Sequence, residues 1–291
     1  MLAELFSIIA PLFVCAGIGY GWAKTGRGYD VELVTTLVTN IGVPCLVFHT
    51  LSNLEVPAQS FGTMVVASAA VLFVCLVVGG VILRVAGLSP RAFLPALSFP
   101  NTGNMGLPLN YLAFGDLGLG LAIAVFTVYA TTQFTLGLAL ASGKVSIRSL
   151  ARVPVLYALP PALVFMLTDA APPKWIDTTT DILGGIVIPM MLITLGISLA
   201  KLEVKSLPRS LALSVLRLGM GLAVGVGVAY ALGLGGTSRG VLIIQSSMPV
   251  AVFNYLFALR YKTAPEEVAG MVVISTVLSF LTLPLLLWFV L

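Results

Sequence analysis

The sequence predicts an all-α integral membrane protein of ten transmembrane helices, built as two inverted five-helix repeats whose fourth members, spans four and nine, are broken and cross. Three observations carry this expectation. First, 59% of the 291 residues are hydrophobic and only 9% are charged, with a mean hydropathy of +1.09, which excludes a water-soluble globule with a polar skin. Second, the basic residues alternate between successive connections. Third, two membrane-length apolar stretches are interrupted near their middles by proline beside small and amide residues, in FPNTGNMGLP (Phe99 to Pro108) and SSMPVAVFNY (Ser246 to Tyr255).

A helix needs about 20 mainly apolar residues to cross a bilayer. In chain order the stretches that qualify are 5–23, 33–51, 61–83, 92–114, 117–141, 153–168, 182–200, 207–232, 240–259 and 268–291. The first lacks a basic leader, and Val14 before Cys15 fits a lipoprotein cleavage site poorly, so it is expected to be a retained span. Residues 92–142 carry Asp116 as their only charge. As one helix they would extend roughly 75 Å, against a hydrocarbon core of about 30 Å, so Gly115 and Asp116 are expected to turn the chain. The three cysteines, Cys15, Cys45 and Cys75, all fall in apolar stretches and act as small hydrophobes.

Cytoplasmic loops hold the excess of Lys and Arg. The connections after spans one, three, five, seven and nine carry Lys24, Arg27, Arg84, Arg91, Lys144, Arg148, Arg152, Lys201, Lys205, Arg209, Arg260 and Lys262. The opposite side has only Lys174 and Arg239, and Arg217 lies within the eighth span. One missed helix would scramble this alternation, so both termini are expected outside a bacterial inner membrane. Basic residues scattered in this way make no nucleic-acid surface.

Prolines repeat at a nearly constant offset: Pro160 follows Pro11 by 149 residues, Pro189 follows Pro44 by 145, and Pro249 follows Pro100 by 149. The expected organisation is a first repeat over residues 1–142, a short cytoplasmic connector over 143–152 and a second repeat over 153–291. Five spans per half is an odd number, which inverts the second half.

Backbone freed from a helix survives at membrane depth only where protein or a water-filled cavity satisfies it, and a matched pair of breaks points to a transporter's substrate site. The second half-helix of each broken span presents unpaired N–H groups and a positive dipole end, which favour an anion. Pro100, Asn101, Thr102, Gly103 and Asn104 from the first break, with Ser247, Met248, Pro249 and Asn254 from the second, are the candidate substrate-binding residues. The competing reading is that the prolines only kink continuous helices and the asparagines join neighbouring ones.

The same residues carry a family resemblance. NTGNMGLPL (Asn101 to Leu109) resembles the fourth-span motif of the auxin efflux carrier family. The similarity continues in IGVPCLVF around Pro44, IPMMLITLGISL (Ile188 to Leu199), SSMPVAVFNYLFALRY and VVISTVLSFLTLPLL, and so covers essentially the whole chain. It implies a fold similar to bile acid:sodium symporters and sodium/proton antiporters, with a crossover site and a homodimer. It also implies an elevator-like motion in which spans three to five and eight to ten slide against spans one, two, six and seven. In that family the residue matching Asn101 contacts the substrate carboxylate. Plant members carry a long hydrophilic segment where this chain has about ten residues, Ser142 to Ala151, so it resembles a compact prokaryotic member. Relatives of that kind move dicarboxylates such as malonate and malate.

Coupling to Na+ or H+ has several candidate residues. His49 is the only histidine, and an imidazole is a side chain suited to proton-linked work; an interfacial hydrogen bond explains it equally well. Thr131, Gln133, Ser275, Thr276 and Ser279 offer oxygens to sodium, or serve as ordinary packing residues. Arg217 could attract an anion or pair with a carbonyl cluster; the preferred expectation is that it snorkels to the cytoplasmic surface. Gly17, Gly19, Gly21, Gly221, Gly225 and Gly227 are expected to let helices approach closely. No HExxH sequence and no pair of intramembrane aspartates is present, so no metal site, cofactor or enzyme is predicted. The expected function is secondary transport of small organic anions, with a channel or membrane receptor on the same fold as the alternative.

Overall fold

The computed structural model describes residues 2–53, 58–143, 153–168 and 170–291, and these residues are α-helical apart from turns and one isolated bridge. The expected connector residues Lys144, Arg148 and Arg152 lie outside the described residues. The helices are α1 (Leu2–Lys24), α2 (Val31–Ser52), α3 (Ala58–Val85), α4 (Pro90–Ser98), α5 (102–114), α6 (116–142), α7 (Val155–Thr168), α8 (Lys174–Lys201), α9 (Leu207–Ala231), α10 (Gly236–Ser246), α11 (Val252–Tyr261) and α12 (Pro265–Val290). Among the described residues seven stretches are long and apolar enough to cross a membrane, and α7 is a shorter apolar helix. One of the seven is the 41-residue stretch Thr102–Ser142, which Gly115 divides into α5 and α6 by adopting φ 64°, ψ −152°. That backbone region belongs to glycine, which is why the turn falls where the sequence placed it. Helix α8 begins at Lys174, eight residues before the apolar run that announces it, because the polar turn KWIDTTT continues it at one end.

Helix ends follow local chemistry. Asp30 caps α2 by accepting the N–H of Leu33 at 3.0 Å, and Pro90, Pro208 and Pro265 sit in first turns where a missing N–H costs nothing. Three tryptophans mark helix ends: Trp22 near the end of α1, Trp175 at the start of α8 and Trp288 at the end of α12, all exposed. Such amphipathic rings sit at membrane interfaces. Between them, Phe73, Val215 and Leu281 project outward from α3, α9 and α12, a surface suited to lipid rather than water.

The helices pack as two bodies. In one, α1 lies along α8, and α2 lies against α7 and α8. In the other, α3 packs on α4, α6 and α9, while α9 and α11 pack on α12 and α10 packs on α9. Glycines set the closest approaches: a Cβ on Gly19 would strike the Ile193 carbonyl, and one on Gly196 would strike that of Ala16, so α1 and α8 touch backbone to backbone. Gly221 and Gly225 hold α9 against Ser246 in the same way, whereas Gly17, Gly21 and Gly227 face open space. Gly19→Val should therefore lower stability by about 1–3 kcal/mol or block folding through overpacking, while Gly17→Ala stays within about 0.5 kcal/mol of the parent. Thermal unfolding of the purified protein in detergent measures both.

Candidate functional site

Proline ends both interrupted helices. Pro100 has no N–H to continue α4, and Phe99 before it is extended at φ −107°, ψ 96°. Pro249 plays the same part after α10, and Ala251 is extended at φ −67°, ψ 139° before α11 resumes. The two extended segments lie side by side as an antiparallel bridge between Pro100 and Val250. The Asn101 N–H donates to Pro249 O at 2.7 Å, and the Ala251 N–H donates to Phe99 O at 3.4 Å. The competing expectation of merely kinked, continuous helices is thereby corrected: at these prolines the helices stop, and their ends pair with each other.

Side chains satisfy most of what remains. Asn254, 3% exposed, donates from Nδ2 to Phe99 O at 2.9 Å and accepts from Gln133 Nε2 at 3.2 Å. Ser275 Oγ accepts the Val250 N–H at 3.0 Å. Arg217, 1% exposed, does not snorkel. Its guanidinium donates to Leu97 O at 2.8 Å, Ser246 O at 2.6 Å and Met248 O at 3.3 Å, because two unpaired helix C-termini offer a closer partner than the surface does.

The other two helix ends face a narrow cleft with about 60 Å³ of free space. It is lined by Pro100, Asn101, Thr102, Gly103 and Asn104 from the first break, and by Ala251 and Phe253 from the second. Gln133, Phe126, Phe134, Thr39 and Met191 add to the walls, and no charged side chain among the described residues lines it. The Asn101 Nδ2 is buried without a hydrogen-bond partner among the described residues. First-turn N–H groups of a helix have no α-helical acceptor; here those of Thr102 and Asn254 turn to Pro100 O at 2.8 Å and Ala251 O at 3.0 Å, and the starts of α5 and α11 border the space through Gly103, Asn104 and Phe253. The π-helical turns Val38–Gly42, Thr102–Gly106 and Gln133–Gly137 each contribute lining residues; such turns recur at functional sites. A second cleft of about 290 Å³ shares Asn104 and Phe253 with the first and extends past Thr194, Ser198 and Tyr255 to Lys201 and Val31, at the end of the molecule where the basic loops lie.

The residues anticipated from the sequence are thus divided. Pro100 through Asn104 are together in the cleft, with Gln133 beside them. Pro249 and Asn254 brace the break from behind. Ser247, Met248 and Ser279 instead line a separate apolar groove between α9 and α12. Thr276 and Ser279 donate to carbonyls of their own helix at 2.7 and 2.8 Å, and Thr131 Oγ1 is buried without a partner among the described residues. His49 is not at the cleft: its Nδ1 lies 2.8 Å from Asp177 Oδ1, and Asn53 donates to the same oxygen at 2.7 Å, tying α2 to α8. Sequence reasoning missed Thr39, Phe126, Met191 and Phe253, whose signals are ordinary apolar or Thr positions in a helix. It also missed Gln245 at the crossing, which is wholly buried against Gly106 with neither amide atom hydrogen-bonded among the described residues.

In a variant lacking the native cysteines, Asn104→Cys should react with a water-soluble thiol reagent, and Asn110→Cys, at a position with 0% exposure, should not. Equal labelling of the two would contradict the described cleft.

Comparisons with known proteins agree with this architecture. The chain matches the membrane transport protein family over residues 5–145 and 138–287. It is 26% identical over 276 residues to an uncharacterized transporter of Methanothermobacter thermautotrophicus, covering 88% of each chain. It is 24% identical over 280 residues to an uncharacterized transporter of Methanocaldococcus jannaschii, covering 89% of this chain and 90% of that one. The chain is an integral, multi-pass membrane protein and belongs to the membrane transport protein family, the auxin efflux carriers.

Proposed function

We propose that this protein is a secondary transporter of small organic anions, of mono- or dicarboxylate type, working by elevator-like alternating access. The carrying observation is the uncharged cleft at the crossing, where the N-termini of α5 and α11 and the unpartnered Asn101 amide converge. Such donors suit a carboxylate: it accepts several N–H bonds at once, and the positive helix ends offset its charge.

On this reading α4 with α5 forms span four, α10 with α11 forms span nine, and the chain has ten spans in two inverted five-helix repeats. The separation into two packed bodies supports a sliding division, with α1, α2, α7 and α8 as scaffold and the remainder as the moving part. The cleft lies along that boundary. Its extension toward Lys201 corresponds to a state open to the cytoplasm, if both termini are outside as the Lys and Arg distribution favours. Residence in a bacterial inner membrane and assembly as a homodimer rest on the family resemblance. A proton-linked role for His49 has less support, because its partners Asp177 and Asn53 hold it within the scaffold.

Proteoliposomes test the proposal. Saturable counterflow of radiolabelled malonate or malate is expected, and Asn101→Ala, inserted at normal levels, should lose at least about tenfold of the exchange rate, equivalent to about 1.4 kcal/mol. Large conductance without exchange would favour a channel. His49→Gln should leave the pH profile of exchange unchanged; a shifted profile would restore the histidine to the coupling mechanism.

A further inference from the structure

Two helix C-termini meet inside this membrane protein, and the transport reading uses only the opposite pair of ends. A helix C-terminus leaves carbonyls unpaired and carries the negative end of its dipole. At the crossing the last turns of α4 and α10 bring Leu97 O, Ser246 O and Met248 O onto one guanidinium. We propose that Arg217 is a resident cation that fills the place a coupling sodium ion would take at the crossover, so that the carrier cycle runs without sodium.

The allocation of oxygens argues for this. A hard cation needs several oxygen ligands, and the breaks are the natural source of them. Three of the exposed carbonyls are taken by Arg217. A fourth, Phe99 O, accepts from Asn254 Nδ2 and the Ala251 N–H, and a fifth, Pro249 O, accepts the Asn101 N–H. Among the candidate hydroxyls, Ser275 Oγ already accepts the Val250 N–H and Thr276 and Ser279 donate to their own helix; the side-chain oxygens of Ser98, Thr131 and Gln245 are buried without a partner among the described residues, fewer than the six or so ligands a hard cation takes. A sodium ion here would have to displace these bonds and sit close to a fixed positive charge in a medium of low dielectric, where like charges repel strongly.

The α9 sequence is built for a guanidinium in particular. One turn beyond Arg217, Gly221 removes the side chain that would strike Ser246 O and would come within 3.0 Å of the Arg217 Nη2. The planar fork can serve two helices at once, its Nη1 on Leu97 O and its Nη2 on Ser246 O and Met248 O, which a lysine's point charge does less well. Arg217 touches neither the cleft nor its contents; it is a positioning residue that holds two half-helices in register, and its assignment as a sodium substitute rests on the carrier reading of the crossing.

Thermal unfolding of the purified full-length protein, in detergent with sodium chloride or choline chloride at equal ionic strength, gives the test without knowledge of the substrate. The wild type should unfold at the same temperature in both salts, since a ligand raises stability only where it binds the folded state. A saturable rise of several degrees in sodium alone would overturn the proposal. Arg217→Ala should unfold at lower temperature and regain part of the loss on adding sodium or about 10 mM guanidinium, far below denaturing levels. A folded Arg217→Ala that responds to neither would also overturn it. Should that variant fail to fold, the wild-type comparison and Arg217→Lys, expected to be less stable than wild type and indifferent to sodium, decide the matter. Malate counterflow in sodium and in choline then gives the functional arm, with equal rates expected and a sodium requirement contradicting the proposal. If no dicarboxylate is exchanged in either salt, the carrier reading fails, while the unfolding comparison still tests Arg217.

Discussion

Backbone polar groups at membrane depth have no water to bond with, and this constraint governs the centre of the molecule. Breaking two helices frees donors and acceptors that each cost about 1–3 kcal/mol if buried unpaired. The chain satisfies them unequally. Freed carbonyls are met by the bridge between the two segments, by Asn254 and by Arg217. The starts of α5 and α11 border the cleft, with the Asn101 amide nitrogen unpartnered among the described residues. That asymmetry is the basis of the proposed preference for negative charge, in a cleft that no cationic side chain among the described residues lines.

Close packing makes the arrangement possible. Gln245 lies where a side chain on Gly106 would be, and Ser246 lies where side chains on Gly221 and Gly225 would be. The crossing segments therefore pack with the body formed by α3, α6, α9 and α12. Contact with the other body is made by α8 against the π-helical turn Thr102–Gly106, and by α1 against α6 and α12. Gly103 at that contact lies against Phe126 and Met191, so the cleft has one wall from each body. A displacement of either body would reshape the cleft without requiring the half-helices to separate.

Much of this was legible in the sequence because proline and glycine act locally. Pro100 and Pro249 end helices, unlike Pro11, Pro160 and Pro284, which lie inside theirs, and Gly115 supplies a backbone conformation that other residues resist. Side-chain destinations were less legible, since they depend on which helices become neighbours. The snorkelling expected of Arg217 assumed a nearby surface and lost to three carbonyls brought together by α4 and α10. Ser247 and Met248 follow α10 to its end and so face the α9 and α12 groove, on the other side of the bridge from Asn101. The π-helical turns left no signal, because one extra residue in a helical turn depends on tertiary packing. Helix counting by length gives seven membrane-length stretches among the described residues, because α5 and α6 run together as Thr102–Ser142 while α7, α10 and α11 are each too short to count.

The central claim is that two interrupted helices hold an anion between their N-termini. An electron cryomicroscopy map of the protein in nanodiscs with a saturating dicarboxylate tests it most directly. The account predicts helices broken at Phe99–Asn101 and Met248–Ala251, with carboxylate density about 3 Å from the Asn101 amide and the first-turn N–H groups of α5 and α11. Continuous helices through these positions, or ligand density away from the crossing, would contradict it.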